Sequence, residues 1–117
     1  MASVPVNLFP VLLLLLFLIP GGRTMKIVDA QKTWCVAKPS TSDIALKDNI
    51  EYACSQVDCS VIERGEPCFY PDTLVSHASV AMNLYYQSRG RNYWNCYFNN
   101  SAVTTVTDPS YGPCKYA

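Results

Sequence analysis

The sequence predicts a small α+β domain in which two packed α-helices lie against a small antiparallel β-sheet and three disulfides link the chain. Three observations support this class. Six cysteines all follow an apolar N-terminal run, two later segments have helical periodicity, and the last part is rich in aromatic and β-branched residues.

The N-terminal segment, residues 1–30, is predicted to be a secretory signal peptide. Residues 11–19 form an unbroken apolar run, which suits the core of a signal peptide but is shorter than the roughly 20 apolar residues of a membrane-spanning helix. We expect cleavage between residues 22 and 30, with an uncleaved signal anchor as the alternative. The exported domain is then expected to span residues 33–117.

The cysteines indicate a disulfide-bonded domain. An even number in a small exported chain is typical of disulfides, because such a domain buries only a modest core. A zinc site is the alternative, but it needs closely spaced pairs of cysteine or histidine, and His77 is the only histidine. We therefore expect no metal and no other cofactor. Spacing alone does not choose among the pairings of Cys35, Cys54, Cys59, Cys68, Cys96 and Cys114.

The first helix is predicted at residues 44–56. Ser42 or Thr41 is the expected N-cap, and Asp43 lies in the first turn, where a carboxylate is favoured. An irregular loop is expected at residues 58–71. The apolar face of the helix consists of Leu46, Ile50, Ala53 and Val57.

The second helix is predicted to begin after Asp72 or Thr73 and to end at Gly90, which can adopt the left-handed conformation of a helix stop. Its small residues allow close packing on the first helix. His77 beside the inner stripe is expected to be a half-buried structural residue. The inner stripe consists of Leu74, Ala78, Ala81, Met82 and Tyr85.

The strands are predicted from aromatic and β-branched residues. Residues 34–36 suit a short strand, and residues 93–98 and 102–107 are expected to pair as a hairpin around a turn at residues 99–101. That turn contains the N-glycosylation sequence Asn99-Asn100-Ser101, so Asn99 is a candidate glycosylation site.

Charge and aromatic content limit the possible partners. Nine Lys and Arg balance nine Asp and Glu, and no basic cluster offers a surface for nucleic acid or anionic lipid. Twelve of the fourteen aromatic residues, including all eight tyrosines, follow the signal segment. Tyrosine combines an apolar ring with a polar tip, which suits a neutral, hydroxyl-rich ligand such as a sugar.

Seven motifs carry a family resemblance, namely residues 33–39, 49–54, 57–59, 68–74, 76–79, 81–87 and 108–114. On these motifs the chain resembles the X8 domains of plants, the family 43 carbohydrate-binding modules. The resemblance covers nearly all of residues 33–116. It implies two packed helices with a small antiparallel sheet, and the pairs Cys35–Cys96, Cys54–Cys59 and Cys68–Cys114.

The resemblance also implies non-catalytic binding of β-1,3-glucans such as callose and laminarin. Some members are attached to endo-β-1,3-glucanases, some carry a lipid anchor near plasmodesmata, and some are free-standing pollen proteins. This chain resembles the free-standing, secreted type, because it shows neither a catalytic domain nor a C-terminal lipid-anchor signal. We expect a monomer in the cell wall or apoplast.

The expected ligand-binding side chains are rings with neighbouring amides. Tyr86 is preferred over Tyr85, which continues the inner stripe. Two alternatives stay open, a small secreted defence or signalling protein and an accessory subunit that brings a glucanase to callose. The candidates are Asn83, Tyr85, Tyr86, Gln87, Trp94 and Tyr111.

Overall fold

The fold has short regular elements joined by irregular, disulfide-bonded segments. The computed structural model describes residues 31–117, so the predicted signal peptide lies outside the described residues. No helix in this part of the chain is long and apolar enough to cross a membrane. The main elements are β1 (Trp34–Ala37), α1 (Asp43–Gln56), α2 (Leu74–Ser88) and β2 (Ala102–Thr105), and single 3-10 turns occur at Ser60–Ile62, Tyr93–Cys96 and Phe98–Asn100.

Both helices have the predicted ends, because local capping groups fix them. The Ser42 side chain accepts a hydrogen bond from the Ala45 N–H, and the Thr73 side chain caps α2 in the same way. After α2, Gly90 has a φ of 85° and donates its N–H to the carbonyl of Gln87. The predicted helix starts and the glycine stop are therefore confirmed.

The sheet consists of two antiparallel strands from opposite ends of the domain. In β1 and β2, Trp34 pairs with Thr105 and Ala37 pairs with Ala102. The free edge of β1 faces α2, where the Cys35 N–H donates to Asn83 Oδ1 at 3.0 Å and the Ala37 N–H donates to Ser79 Oγ at 2.9 Å. Side chains of α2 thus satisfy the backbone groups that a third strand would otherwise pair.

The predicted hairpin of residues 93–98 and 102–107 is wrong. Residues 93–100 form two 3-10 turns, and Phe98, Asn99 and Asn100 have φ angles of 43°, 53° and 65°. Such left-handed backbone cannot continue a strand, and asparagine adopts it more readily than most residues. The second predicted strand does form, but as β2 it pairs with β1.

The core forms two clusters on different faces of α2. One cluster, which we call the second cluster, consists of Cys68, Val80 and Cys114. The other, the first cluster, includes Tyr86. Tyr86 is only 2% exposed and shares a hydrogen bond with the Thr33 hydroxyl. The first cluster consists of Cys35, Ala37, Leu46, Ala78, Met82, Tyr86, Cys96 and Ala102.

All three disulfide pairs are those implied by the family resemblance. They join Cys35 to Cys96, Cys54 to Cys59 and Cys68 to Cys114. The first connects β1 to the 3-10 turn Tyr93–Cys96, the second closes the C-terminal end of α1, and the third fastens the C-terminal segment to the second cluster. The predicted α+β architecture with three disulfides is confirmed.

Candidate functional site

One cleft combines exposed rings with amide groups. It lies where α1 and α2 meet residues 93–99, and its volume is about 390 Å³. We call it the aromatic cleft. Its lining residues are Asp48, Asn49, Tyr52, Tyr85, Trp94, Asn95, Tyr97, Phe98 and Asn99.

On the helical side of the cleft, Tyr52 of α1 packs edge to face on Tyr85 of α2, with ring centroids 5.4 Å apart. Their hydroxyl oxygens are 3.3 Å apart. This hydrogen bond lowers the pKa of Tyr85 and raises that of Tyr52. The Arg89 guanidinium lies 4.7 Å from the centroid of the Tyr85 ring, and Phe98 packs on the same ring. Two aromatic contacts, one hydrogen bond and one cation therefore hold this side in place.

On the opposite side, Trp94 and Tyr97 are 61% and 60% exposed. They flank Cys96, whose disulfide to β1 keeps the 3-10 turn against the core. Tyr93 packs edge to face on Trp94 at 5.2 Å. Large rings that stay exposed on a fixed backbone are suited to stacking on a flat apolar ligand face.

The polar groups of the cleft are mostly amides. Asn49 Nδ2 donates to Ser101 Oγ at 2.7 Å and is therefore fixed. Asn95 keeps a buried Oδ1 that has no hydrogen-bond partner within residues 31–117. Asp48 supplies the single carboxylate of the lining. The cleft therefore offers rings and hydrogen-bonding amides with little charge, which suits a neutral ligand rich in hydroxyl groups.

The structure divides the predicted ligand residues between three places. Tyr85 and Trp94 lie together in the aromatic cleft, as a joint site requires. Asn83 is 1% exposed and Tyr86 is 2% exposed, so neither can contact a polysaccharide, and the preference for Tyr86 over Tyr85 is wrong. The physical reason is that α2 packs on β1 as well as on α1, which buries Tyr86 toward β1 and leaves Tyr85 at the edge of the α1 contact.

The remaining two predicted residues also lie outside the cleft. Gln87 is half-buried and donates from Nε2 to the Thr33 carbonyl and to Asn83 Oδ1. Tyr111 lies in a second depression of about 610 Å³, which we call the proline groove, and donates its hydroxyl to the Tyr70 carbonyl at 2.9 Å. The proline groove is lined by Gly65, Glu66, Pro67, Tyr70, Pro71, Tyr111 and Pro113.

Sequence reasoning missed most of the cleft. Tyr52 carried a usable signal, because it is an aromatic residue beside Glu51 and away from the apolar stripe of α1. Tyr97 and Asn95 belong to the aromatic segment that was assigned to a strand, and strand periodicity places their side chains differently from a 3-10 turn. Asn99 was identified only as a glycosylation site.

Groups with other chemistry have structural explanations. His77 donates from Nε2 to the Phe69 carbonyl at 2.6 Å and is half-buried, as predicted. Among residues 31–117, no group of three histidine, cysteine or acidic side chains is arranged to hold a metal ion.

Comparison with known proteins identifies relatives over most of the described domain. The X8 domain family matches residues 33–103, more than half of the chain. The chain is 46% identical over 87 residues to the major pollen allergen Ole e 10 of Olea europaea, covering 73% of this chain and 71% of the allergen. It is 40% identical over 98 residues to plasmodesmata callose-binding protein 5 of Arabidopsis thaliana, covering 82% of this chain and 52% of that protein.

Longer relatives share only this domain with the chain. A glucan endo-1,3-beta-D-glucosidase of Olea europaea is 53% identical over 88 residues, which is 74% of this chain but 19% of the glucosidase. The chain therefore spans about a fifth of the length of that relative.

Proposed function

Because this chain belongs to the X8 domain family, we propose that it binds β-1,3-glucan of the callose or laminarin type in the aromatic cleft and does not cleave it. One relative is a plasmodesmata callose-binding protein, and others are named as glucosidases of β-1,3-glucan. These names support the same polysaccharide as the ligand here.

The observation that carries the proposal is the pair of exposed rings, Trp94 and Tyr97, on a backbone fixed by the Cys35–Cys96 disulfide. A pyranose ring has an apolar face and a rim of hydroxyl groups. The ring faces of Trp94 and Tyr97 can stack on the apolar face of the sugar, and the cleft amides can form hydrogen bonds with its hydroxyl groups.

The carboxylates of the described domain argue for binding without hydrolysis. Glycoside hydrolysis generally uses two carboxyl groups that flank the scissile bond. The aromatic cleft is lined by one carboxylate, Asp48, and the proline groove by one, Glu66. Neither depression presents the facing pair that this chemistry needs.

Affinity electrophoresis of the oxidised domain through gels containing laminarin tests the proposal, with soluble cellulose and xylan derivatives as controls. We expect laminarin to retard the domain selectively. Trp94→Ala and Tyr97→Ala should each weaken binding about fivefold or more, because truncation of an anchoring ring costs more than about 1 kcal/mol.

Tyr70→Ala is the matched control. Tyr70 is 71% exposed and Tyr97 is 60% exposed, but Tyr70 lies in the proline groove. Its truncation should leave the laminarin affinity within about twofold of the original value, since it removes no anchoring ring. Unchanged mobility of a folded domain in every gel would refute glucan binding. A larger effect at Tyr70 than at Tyr97 would move the site to the proline groove.

The proposal places the protein outside the cell, in the cell wall or apoplast. Three disulfides form and persist in oxidising compartments, which supports this location. The presence of similar domains in much longer glucosidases supports a second role, in which this chain brings a separate glucanase to callose. Co-purification of a glucanase from cell-wall extract with the immobilised protein tests that role, and capture that persists with Trp94→Ala would indicate a protein contact.

A further inference from the structure

We propose that Asn99 carries an N-linked glycan that covers the aromatic cleft, so that glycosylated chains bind β-1,3-glucan more weakly than unglycosylated chains. This inference rests on the proposed function, since the cleft that the glycan covers is the one assigned to glucan. It joins the glycosylation sequence to the binding site as one regulated unit.

The acceptor side chain is accessible. Asn99 is exposed, and no hydrogen bond to its side chain occurs within residues 31–117. Its neighbour Asn100 differs, because Asn100 Oδ1 accepts a hydrogen bond from Lys38 Nζ at 2.9 Å. Of the two adjacent amides, the one in the acceptor position of Asn99-Asn100-Ser101 is thus the unbonded one.

The attachment point lies on the cleft itself. Asn99 lines the aromatic cleft together with Trp94 and Tyr97. Its backbone is held in a defined turn, since the Asn100 N–H donates to the Tyr97 carbonyl at 2.8 Å and the Ser101 N–H donates to the Phe98 carbonyl at 3.1 Å. The first sugar of a glycan on Asn99 Nδ2 therefore starts from a fixed position on the rim of the site.

The glycan and the proposed ligand also share their chemistry. Both present pyranose rings with apolar faces and hydroxyl rims, so the rings of Trp94 and Tyr97 can stack on either. A tethered group competes at an effective concentration in the millimolar range when its linker is short. A bulky glycan rooted at the rim also blocks the path of a long polysaccharide across the cleft.

The transfer step needs one co-reactant, an oligosaccharide linked to a lipid pyrophosphate, as supplied in the secretory pathway. The Asn99 Nδ2 atom attacks the anomeric carbon of the first sugar and loses a proton. A new C–N bond forms, the bond from that carbon to the pyrophosphate oxygen breaks, and the lipid pyrophosphate leaves. No electrons are exchanged with an outside oxidant.

In the folded domain the hydroxyl of the acceptor sequence is occupied. Ser101 is 8% exposed, its Oγ donates to the Phe98 carbonyl at 2.5 Å, and it accepts from Asn49 Nδ2 at 2.7 Å. Transfer to Asn99 therefore has to precede the closure of this turn. Chains that fold before transfer stay unglycosylated and keep an open cleft.

The test uses the full chain secreted by a eukaryotic host, with mass spectrometry of the peptide that contains Asn99 and measurement of laminarin affinity. We expect a glycan on Asn99 and an affinity lower by about tenfold, or about 1.4 kcal/mol, than that of Asn99→Gln from the same host. Asn100→Gly is the matched control, because it keeps the acceptor sequence and glycine adopts a φ of 65° without strain. It should stay glycosylated and bind weakly.

Wild-type protein and Asn99→Gln made in bacteria, where neither is glycosylated, give the effect of the substitution itself on laminarin affinity, because Asn99 lines the cleft. The difference of about tenfold expected for the glycan is the difference that remains between the secreted proteins after this effect is divided out. An unmodified Asn99 in the secreted wild-type protein, or equal affinity of its glycosylated and unglycosylated forms, would overturn the inference and leave glucan binding intact. Absence of laminarin binding by the folded bacterial protein would instead refute the proposed function, and this inference with it.

Discussion

Replacement of Asn83 by alanine separates a structural role for this amide from the ligand-binding role that its sequence position suggests. Asn83 is 1% exposed. Its Oδ1 accepts from the Cys35 N–H at 3.0 Å and from Gln87 Nε2 at 3.1 Å, and its Nδ2 donates to the Ala117 carbonyl at 3.3 Å. One residue of α2 thus holds the free edge of β1 and the C-terminus.

The expected loss in the free energy of unfolding follows from the polar groups that Asn83→Ala leaves without a hydrogen-bond partner. The Cys35 N–H is buried and would have no acceptor, which costs about 1–3 kcal/mol. The other two partners are only partly buried and can bind water, so their loss costs less. The small cavity adds about 1 kcal/mol. We expect the free energy of unfolding to fall by about 2–4 kcal/mol.

Urea unfolding at neutral pH with the disulfides intact measures this change, and the slope of the transition should stay constant because the surface exposed on unfolding is nearly the same. Asn92→Ala is the matched control. Asn92 is exposed and donates only to the Arg89 carbonyl, so its loss should cost less than about 1 kcal/mol. Laminarin affinity of folded Asn83→Ala should equal that of wild type. A loss of stability below about 1 kcal/mol, or a selective loss of affinity, would contradict the structural role.

Two further predictions concern stability. Burial raises the pKa of Tyr116 from 10.0 to about 12. Because the unfolded state loses this proton first, the free energy of unfolding should fall as the pH rises from 10 toward 12, and Tyr116→Phe should reduce that fall. Urea unfolding at several pH values measures this, and parallel pH profiles of the two proteins would exclude the effect. Removing the Cys68–Cys114 disulfide by paired serine substitutions should lower the free energy of unfolding by about 4 kcal/mol, and removing Cys54–Cys59 should lower it by about 2 kcal/mol. The reason is that the closed loops span 46 and 5 residues. Thermal unfolding of the two variants checks the order, and equal losses of stability would argue against loop entropy as the main cause.

The parts of the fold that depend on neighbouring residues could be predicted from the sequence. Ser42 and Thr73 cap the backbone three residues ahead, and Gly90 ends α2 through its own conformation, so each signal and its effect lie within one turn. The disulfide pairing was different. Only the family resemblance selected it, since the spacing of six cysteines is compatible with many pairings.

The parts that depend on distant contacts could not be predicted. Residues 102–107 have β propensity, but propensity does not select a partner, and β2 pairs with β1 at the other end of the domain. Helical periodicity indicates one inner face, whereas α2 is buried on two, so Tyr86 is buried and Tyr85 is the more accessible of the two, the opposite of the prediction. The cleft needs α1, α2 and residues 93–99 in their final positions, and local pattern gives none of these.

The pairing of β1 with β2 sets the order of events during synthesis. Ribosomes make β1 well before its partner strand β2, and the Cys35–Cys96 and Cys68–Cys114 bonds join residues 61 and 46 positions apart. Such non-local contacts form slowly, because a long loop must close before any contact is gained. The domain therefore cannot close before β2, Cys96 and Cys114 have been synthesised. The pairing of β1 with β2 thus delays folding, and mutations that slow it further should increase the fraction of secreted protein that carries the glycan on Asn99.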